Sequence, residues 1–86
     1  MDEQKPIATV GIWNLYADEK RQGVYHIEGF DKRINGPIVI PFAYVTIDNA
    51  RLSKTFGQPI IVAQQNVSQL SKKAYSRFLA IMKNKM

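Results

Sequence analysis

The segment from Ser68 to Met86 limits the choice of fold more than any other part of the chain. Laid out at about 100° per residue, it sorts into two faces, as an amphipathic helix does. Ala74, Tyr75, Phe78, Leu79, Ile81 and Met82 share one arc, and Lys72, Lys73, Ser76, Arg77, Ala80, Lys83 and Asn84 the other. A helix of this kind has to cover something apolar. Burying the five large side chains of the apolar arc stabilises by about 7–15 kcal/mol at about 1.5–3 each, an upper bound for an extended unfolded chain. The spacing predicts a helix over Ser71–Lys85, capped by Ser68 or Ser71, that closes a core and turns a basic face outward.

The surface to be covered lies upstream. Ile7–Tyr16 is rich in β-branched and aromatic residues and reads as a strand, as do Val24–Phe30, Pro37–Ile47 and Pro59–Val67. Between the first two, Ala17–Gly23 is a polar loop ending in glycine. Asn35-Gly36 matches a two-residue hairpin turn, which sets Ile34 against Pro37 and Phe30 against Pro41, with positive φ at Gly36. Pro37–Ile47 is apolar on both alternating faces, which predicts burial on both sides. Pro41 has no N–H to donate, so a bulge and a bend are expected there. Asp48–Phe56 reads as a short helix, with Asp48 as cap and Leu52 and Phe56 four residues apart on one face.

The order is β-β-β-α-β-α. The fold class is therefore α+β: a three-stranded antiparallel meander, a short helix, a fourth strand and the C-terminal amphipathic helix packed on the sheet. A small SH3-like or OB-like barrel with a C-terminal helix is the alternative. Residues 1–6 read as a flexible tail and residues 7–86 as a single α+β domain, since 86 residues support one modest core.

With 45% apolar and 22% charged residues, the chain has the composition of a globular protein rather than a disordered one. Asp2 and Glu3 stand where a signal peptide would carry positive charge, and the apolar run Ile38–Ile47 is half a membrane span interrupted by Pro41. The expectation is a cytoplasmic protein with no transmembrane segment. Asn66-Val67-Ser68 matches a glycosylation acceptor, an accidental match without a secretion signal.

The charge of +5 is unevenly spread. All seven acids lie within residues 1–48, where five bases leave a balance of −2; residues 49–86 hold seven bases and no acid, or +7. An acid-free half points to a polyanion or an acidic partner. Lys83 and Lys85 suit a helix C-terminus, but Lys72 and Lys73 oppose the dipole of the first turn, which suggests a use beyond helix stability.

Chemistry is thinly represented. The absence of cysteine excludes thiol nucleophiles and cysteine zinc sites, and a single histidine excludes a histidine metal cluster. His26 with Glu28, or Glu28 with Asp31, is too common a spacing to specify catalysis, and no phosphate loop or nucleophile motif accompanies it. The expectation is no catalytic residue, no cofactor and no metal.

The function read from the sequence is a small, non-enzymatic, regulatory protein that binds nucleic acid through the basic face of its C-terminal helix. Lys72, Lys73, Arg77 and Lys83 would contact phosphates, joined by Arg51 and Lys54. Among the strand aromatics Trp13, Tyr16, Tyr25, Phe30, Phe42 and Tyr44, the stacking candidates are Trp13 and Tyr25, which have polar neighbours. The alternative is a protein-interaction module, inhibitor or adaptor, that docks an acidic partner surface. Surplus apolar surface on the third strand and last helix argues for a homodimer.

Overall fold

The computed structural model describes residues 5–64 and 67–85. Five strands form one antiparallel sheet in chain order: β1 (Ala8–Val10), β2 (Trp13–Ala17), β3 (Tyr25–Asp31), β4 (Gly36–Ile47) and β5 (Pro59–Val62). A 3-10 turn at Val67–Gln69 leads into α1 (Lys72–Asn84), which lies across one face of the sheet. The class is α+β, as the sequence predicts. The pairings run in order from β1 to β5 with none between those two strands among the described residues, so the sheet is open rather than a barrel.

The extra strand arises because Ile7–Tyr16 does not run straight. Val10 pairs with Trp13, leaving Gly11 and Ile12 as a two-residue turn. Gly11 takes φ 58, which such a turn readily admits at glycine. The Asn35-Gly36 turn is also revised. Phe30 pairs with Pro37, not Pro41, and Asp31 with Gly36, so Lys32–Asn35 form a four-residue loop. Asn35 alone takes positive φ there, at 48, while Gly36 is strand. Asp31 fixes the loop by accepting the Arg33 N–H at 2.8 Å and pairing with its guanidinium at 3.2 Å.

Pro41 acts as expected. Tyr25 pairs with Ala43 while Ile27 pairs with Ile40, so β4 carries one extra residue at Pro41-Phe42 and bends. Phe42 sits at φ 55 in this bulge. The first half of β4 pairs with β3 and its second half with β5. Only one face of β4 is buried: Ile38, Ile40 and Ala43 point inward, whereas Val39, Phe42 and Tyr44 are exposed on the other side.

No helix forms over Asp48–Phe56. Asp48 donates its N–H to Gln58 O at 2.9 Å and accepts the Gly57 N–H at 2.8 Å, closing the segment as a loop between β4 and β5. The predicted fourth strand ends at Val62; residues 65 and 66 lie outside the described residues, and Val67 belongs to the 3-10 turn.

One contiguous core holds the layers together. Trp13, Leu15, Tyr25, Ile27, Ile40 and Ile61 from the sheet meet Ala74, Phe78 and Met82 from α1. Ser71 caps the helix, accepting the Ala74 N–H at 3.1 Å, and the Tyr75 hydroxyl accepts the N–H of Ile61 at 3.1 Å. That second bond ties the helix to the edge strand and satisfies an N–H turned away from β4.

Candidate nucleic-acid interface

The helix presents its two faces as its periodicity requires. Ala74, Phe78 and Met82 are buried, and Tyr75, Leu79 and Ile81 are half-buried against the core. Lys72, Lys73, Arg77 and Lys83 are all exposed on the opposite side. At 1.5 Å per residue, they span about 16 Å along the axis. The ridge has two flanks. Lys73 and Arg77, one turn apart, border a hollow shared with Thr9, Val10 and Gly11 of the first hairpin. Lys72 borders another, lined by Val67, Leu70, Tyr75 and Ser76.

Among the described residues these cations have no acidic partner. Acids engage other bases instead, Asp31 pairing with Arg33 and Asp18 hydrogen-bonding His26, both outside the acid-free half of the chain. α1 has no acid in its first turn and none along its length. A ridge of this kind concentrates positive potential and attracts a polyanion. Arg51 and Lys54 are exposed too, but they sit on the β4–β5 loop, and the fold does not make them part of the helical ridge.

The stacking candidates are corrected. Trp13 is 5% exposed and Tyr25 4%, both inside the core beneath α1. Inward residues alternate along the strand, so Trp13 follows Leu15 and Tyr25 follows Ile27 into the interior. Burial pushes the Tyr25 phenol pKa up. Neither ring is available to a base.

The exposed aromatics of β4, Phe42 and Tyr44, lie on the outer face of the sheet, opposite the helix. The bulge turns Phe42 outward, where the Arg21 guanidinium stands 5.1 Å from its ring centroid. His26 meets the same ring edge-on, with centroids 5.9 Å apart. Asp18 arranges the group. Its carboxylate accepts the N–H groups of Lys20 at 2.8 Å and Arg21 at 3.0 Å, and contacts His26 Nε2 at 3.1 Å. The Lys20 N–H is the main cause of a lowered Asp18 pKa, helped by the His26 bond and the Arg21 N–H against partial burial. Tyr44 and Val62 continue the surface beside Phe42. Sequence reasoning placed the bulge at Pro41 but missed its consequence, the outward turn of Phe42.

His26 therefore engages Asp18, not Glu28. Glu28 and Asp31 do not form a carboxylate pair: three residues apart on β3, they face opposite sides, and Asp31 is held by Arg33. The Arg33 side chain is the first cause, and its N–H the second, of a lowered Asp31 pKa. Among the described residues, no cluster of three or more His, Asp or Glu side chains could hold a metal ion. No helix among them is long and apolar enough to cross a membrane. Asn66 of the glycosylation match lies outside the described residues.

No family model, curated protein or solved structure matches this chain.

Proposed function

We propose that this is a small, non-enzymatic, cytoplasmic protein of regulatory type that binds nucleic acid, with Lys72, Lys73, Arg77 and Lys83 contacting the phosphate backbone. The observation that carries the reading is the outer face of α1: four exposed cations on a rigid element, with no acid on the helix and no ion pair to any of them among the described residues. Cations already neutralised by carboxylates would release few counterions on binding DNA or RNA, whereas unpaired ones release more. Lysines on phosphates position a protein without reading bases, so binding is largely independent of sequence.

The test is a titration of labelled duplex and single-stranded DNA and RNA with the wild type and with the triple variant Lys72→Gln, Lys73→Gln, Arg77→Gln. The wild type binds and the variant loses most of its affinity while keeping its circular-dichroism spectrum. If neither binds any nucleic acid at physiological salt, the reading fails. The same ridge then belongs to an interaction module docking an acidic protein, a reading that the apolar hollow beside Lys72 also suits.

The homodimer expected from the sequence finds support in Phe30, Val39, Phe42 and Tyr44, all exposed on the outer sheet face. Pairing there leaves both basic ridges outward. Light scattering that finds only monomer at high micromolar concentration removes it.

A further inference from the structure

The loop between β4 and β5 carries exposed apolar side chains interleaved with cations. Leu52 is fully exposed, Phe56 is 53% exposed and Ile47, at the loop's root, is 45% exposed. Arg51 and Lys54 stand among them. These side chains stand at the exposed tip of the loop. Phosphate-backbone binding would explain the two bases but not Leu52 or Phe56. A lipid interface takes both kinds of side chain at once, apolar groups into the acyl boundary and bases against anionic headgroups.

The loop is also built for that environment, because much of its polar inventory is spent internally. Asp48, its single acid, is 7% exposed and accepts the Ala50 N–H at 2.9 Å and the Thr55 hydroxyl at 2.6 Å. Ser53 donates its N–H to Ala50 O, Phe56 to Ser53 O and Gln58 to Thr55 O. Backbone groups paired in this way cost less to move out of bulk water than open ones. The last turn of α1 ends near the same end of the sheet, with Met82 and Lys85 beside Val45, two residues from the loop's root at Ile47. Lys85 adds to the positive field there.

We infer that the 48–58 loop docks this protein on an anionic bilayer surface: Leu52 and Phe56 enter the interface while Arg51 and Lys54 pair with lipid headgroups. The two functions are separable, since the phosphate-binding ridge lies on the helix and the tip on the loop.

The chain contains no cysteine, so Leu52→Cys introduces a single thiol for an environment-sensitive dye. Labelled protein is mixed with phosphatidylcholine vesicles with and without phosphatidylserine. The expected result is a blue shift on the anionic vesicles alone, retained in the helix triple variant. Leu52→Ser and Phe56→Ser each lower vesicle partitioning about tenfold, and Arg51→Gln and Lys54→Gln each lower it about fivefold. The two serine variants keep nucleic-acid binding through the ridge. No blue shift on anionic vesicles overturns the inference, as does partitioning that is indifferent to the two serine variants. A shift from dimer to monomer in those variants, without any vesicle binding, also overturns it and makes the tip a contact between copies. Loss of nucleic-acid binding in the helix variant alone, with the blue shift intact, separates failure of one function from failure of the other.

Discussion

A single methyl group added at Gly29 tests how the core is assembled. Gly29 lies on β3 opposite Trp13 of β2, and the indole covers it. A Cβ at Gly29 would stand 2.5 Å from Cε3, 2.6 Å from Cζ3 and 3.0 Å from Cδ2 of that ring. Unbonded carbons rest about 3.5–4.0 Å apart, so the ring must withdraw by about 1 Å. It has little room to do so, being one of the buried residues that meet the helix. Overpacking of this kind costs about 1–3 kcal/mol. Gly29 does not occupy the left-handed region, so alanine is conformationally admissible and recovers about 0.5–1 kcal/mol of backbone entropy. The net loss is up to about 2.5 kcal/mol, or a Tm lowered by up to about 20 °C for a domain of this size. Trp13 is the only tryptophan, so its emission reports the site without interference. Gly29→Ala is expected to melt earlier by circular dichroism and to change the emission maximum. An equal or higher Tm with unchanged emission would refute the packing of Trp13 on Gly29 and, with it, the burial that removes Trp13 from the nucleic-acid site.

Three further outcomes follow from named bonds. Ser71→Ala removes the acceptor for the Ala74 N–H and is expected to cost about 0.5–2 kcal/mol in thermal or urea unfolding. Tyr75→Phe strands the N–H of Ile61, a buried residue, at a cost of about 1–3 kcal/mol, and hydrogen exchange at Ile61 accelerates. Asp18, Asp31 and Asp48 all have folded-state pKa values below their ordinary ones; for Asp48 the Ser53 hydroxyl is the main cause, followed by Thr55 and the Ala50 N–H. Depressed carboxylates stabilise the folded state above the unfolded pKa of about 3.9, and that contribution is lost as pH falls through the folded values. Stability is therefore expected to decline below about pH 4, and Asp48→Asn to reduce the dependence; an unchanged acid profile in that variant would deny Asp48 its role in the loop.

The helix was legible because its signal is local. Six apolar residues at helical spacing, from Ala74 to Met82, specify both the element and its buried face, and Ser71 supplies its cap. The bulge was legible too, since Pro41 cannot donate to a ladder in any register. What escaped depended on partners distant in sequence. Gly11 looks like a residue within one apolar strand, and only the pairing of Val10 with Trp13 makes it a turn. The spacing of Leu52 and Phe56 after Asp48 imitates a capped helix, yet Gln58 and Gly57 recruit the Asp48 backbone into loop closure instead. Asn35-Gly36 has the right turn chemistry, but Asp31 captures Arg33 and sets the longer loop. For the site, exposure of the helix bases could be read from periodicity. The sidedness of Trp13 and Tyr25 could not be read from their polar neighbours, because which strand face is buried is decided by the helix that covers it.

The central claim, that the ridge on α1 is a phosphate-binding surface, is tested most directly by the salt dependence of affinity for duplex DNA. Each phosphate contact contributes about 0.9 to the slope of log K against log salt, so three to five contacts give about −3 to −5. Replacing Lys72, Lys73 and Arg77 with glutamine is expected to flatten that slope by up to about three without weakening the helix, since Lys72 and Lys73 oppose its dipole. Equal affinity and equal slope for wild type and variant would contradict the claim and place any nucleic-acid contact elsewhere on the molecule.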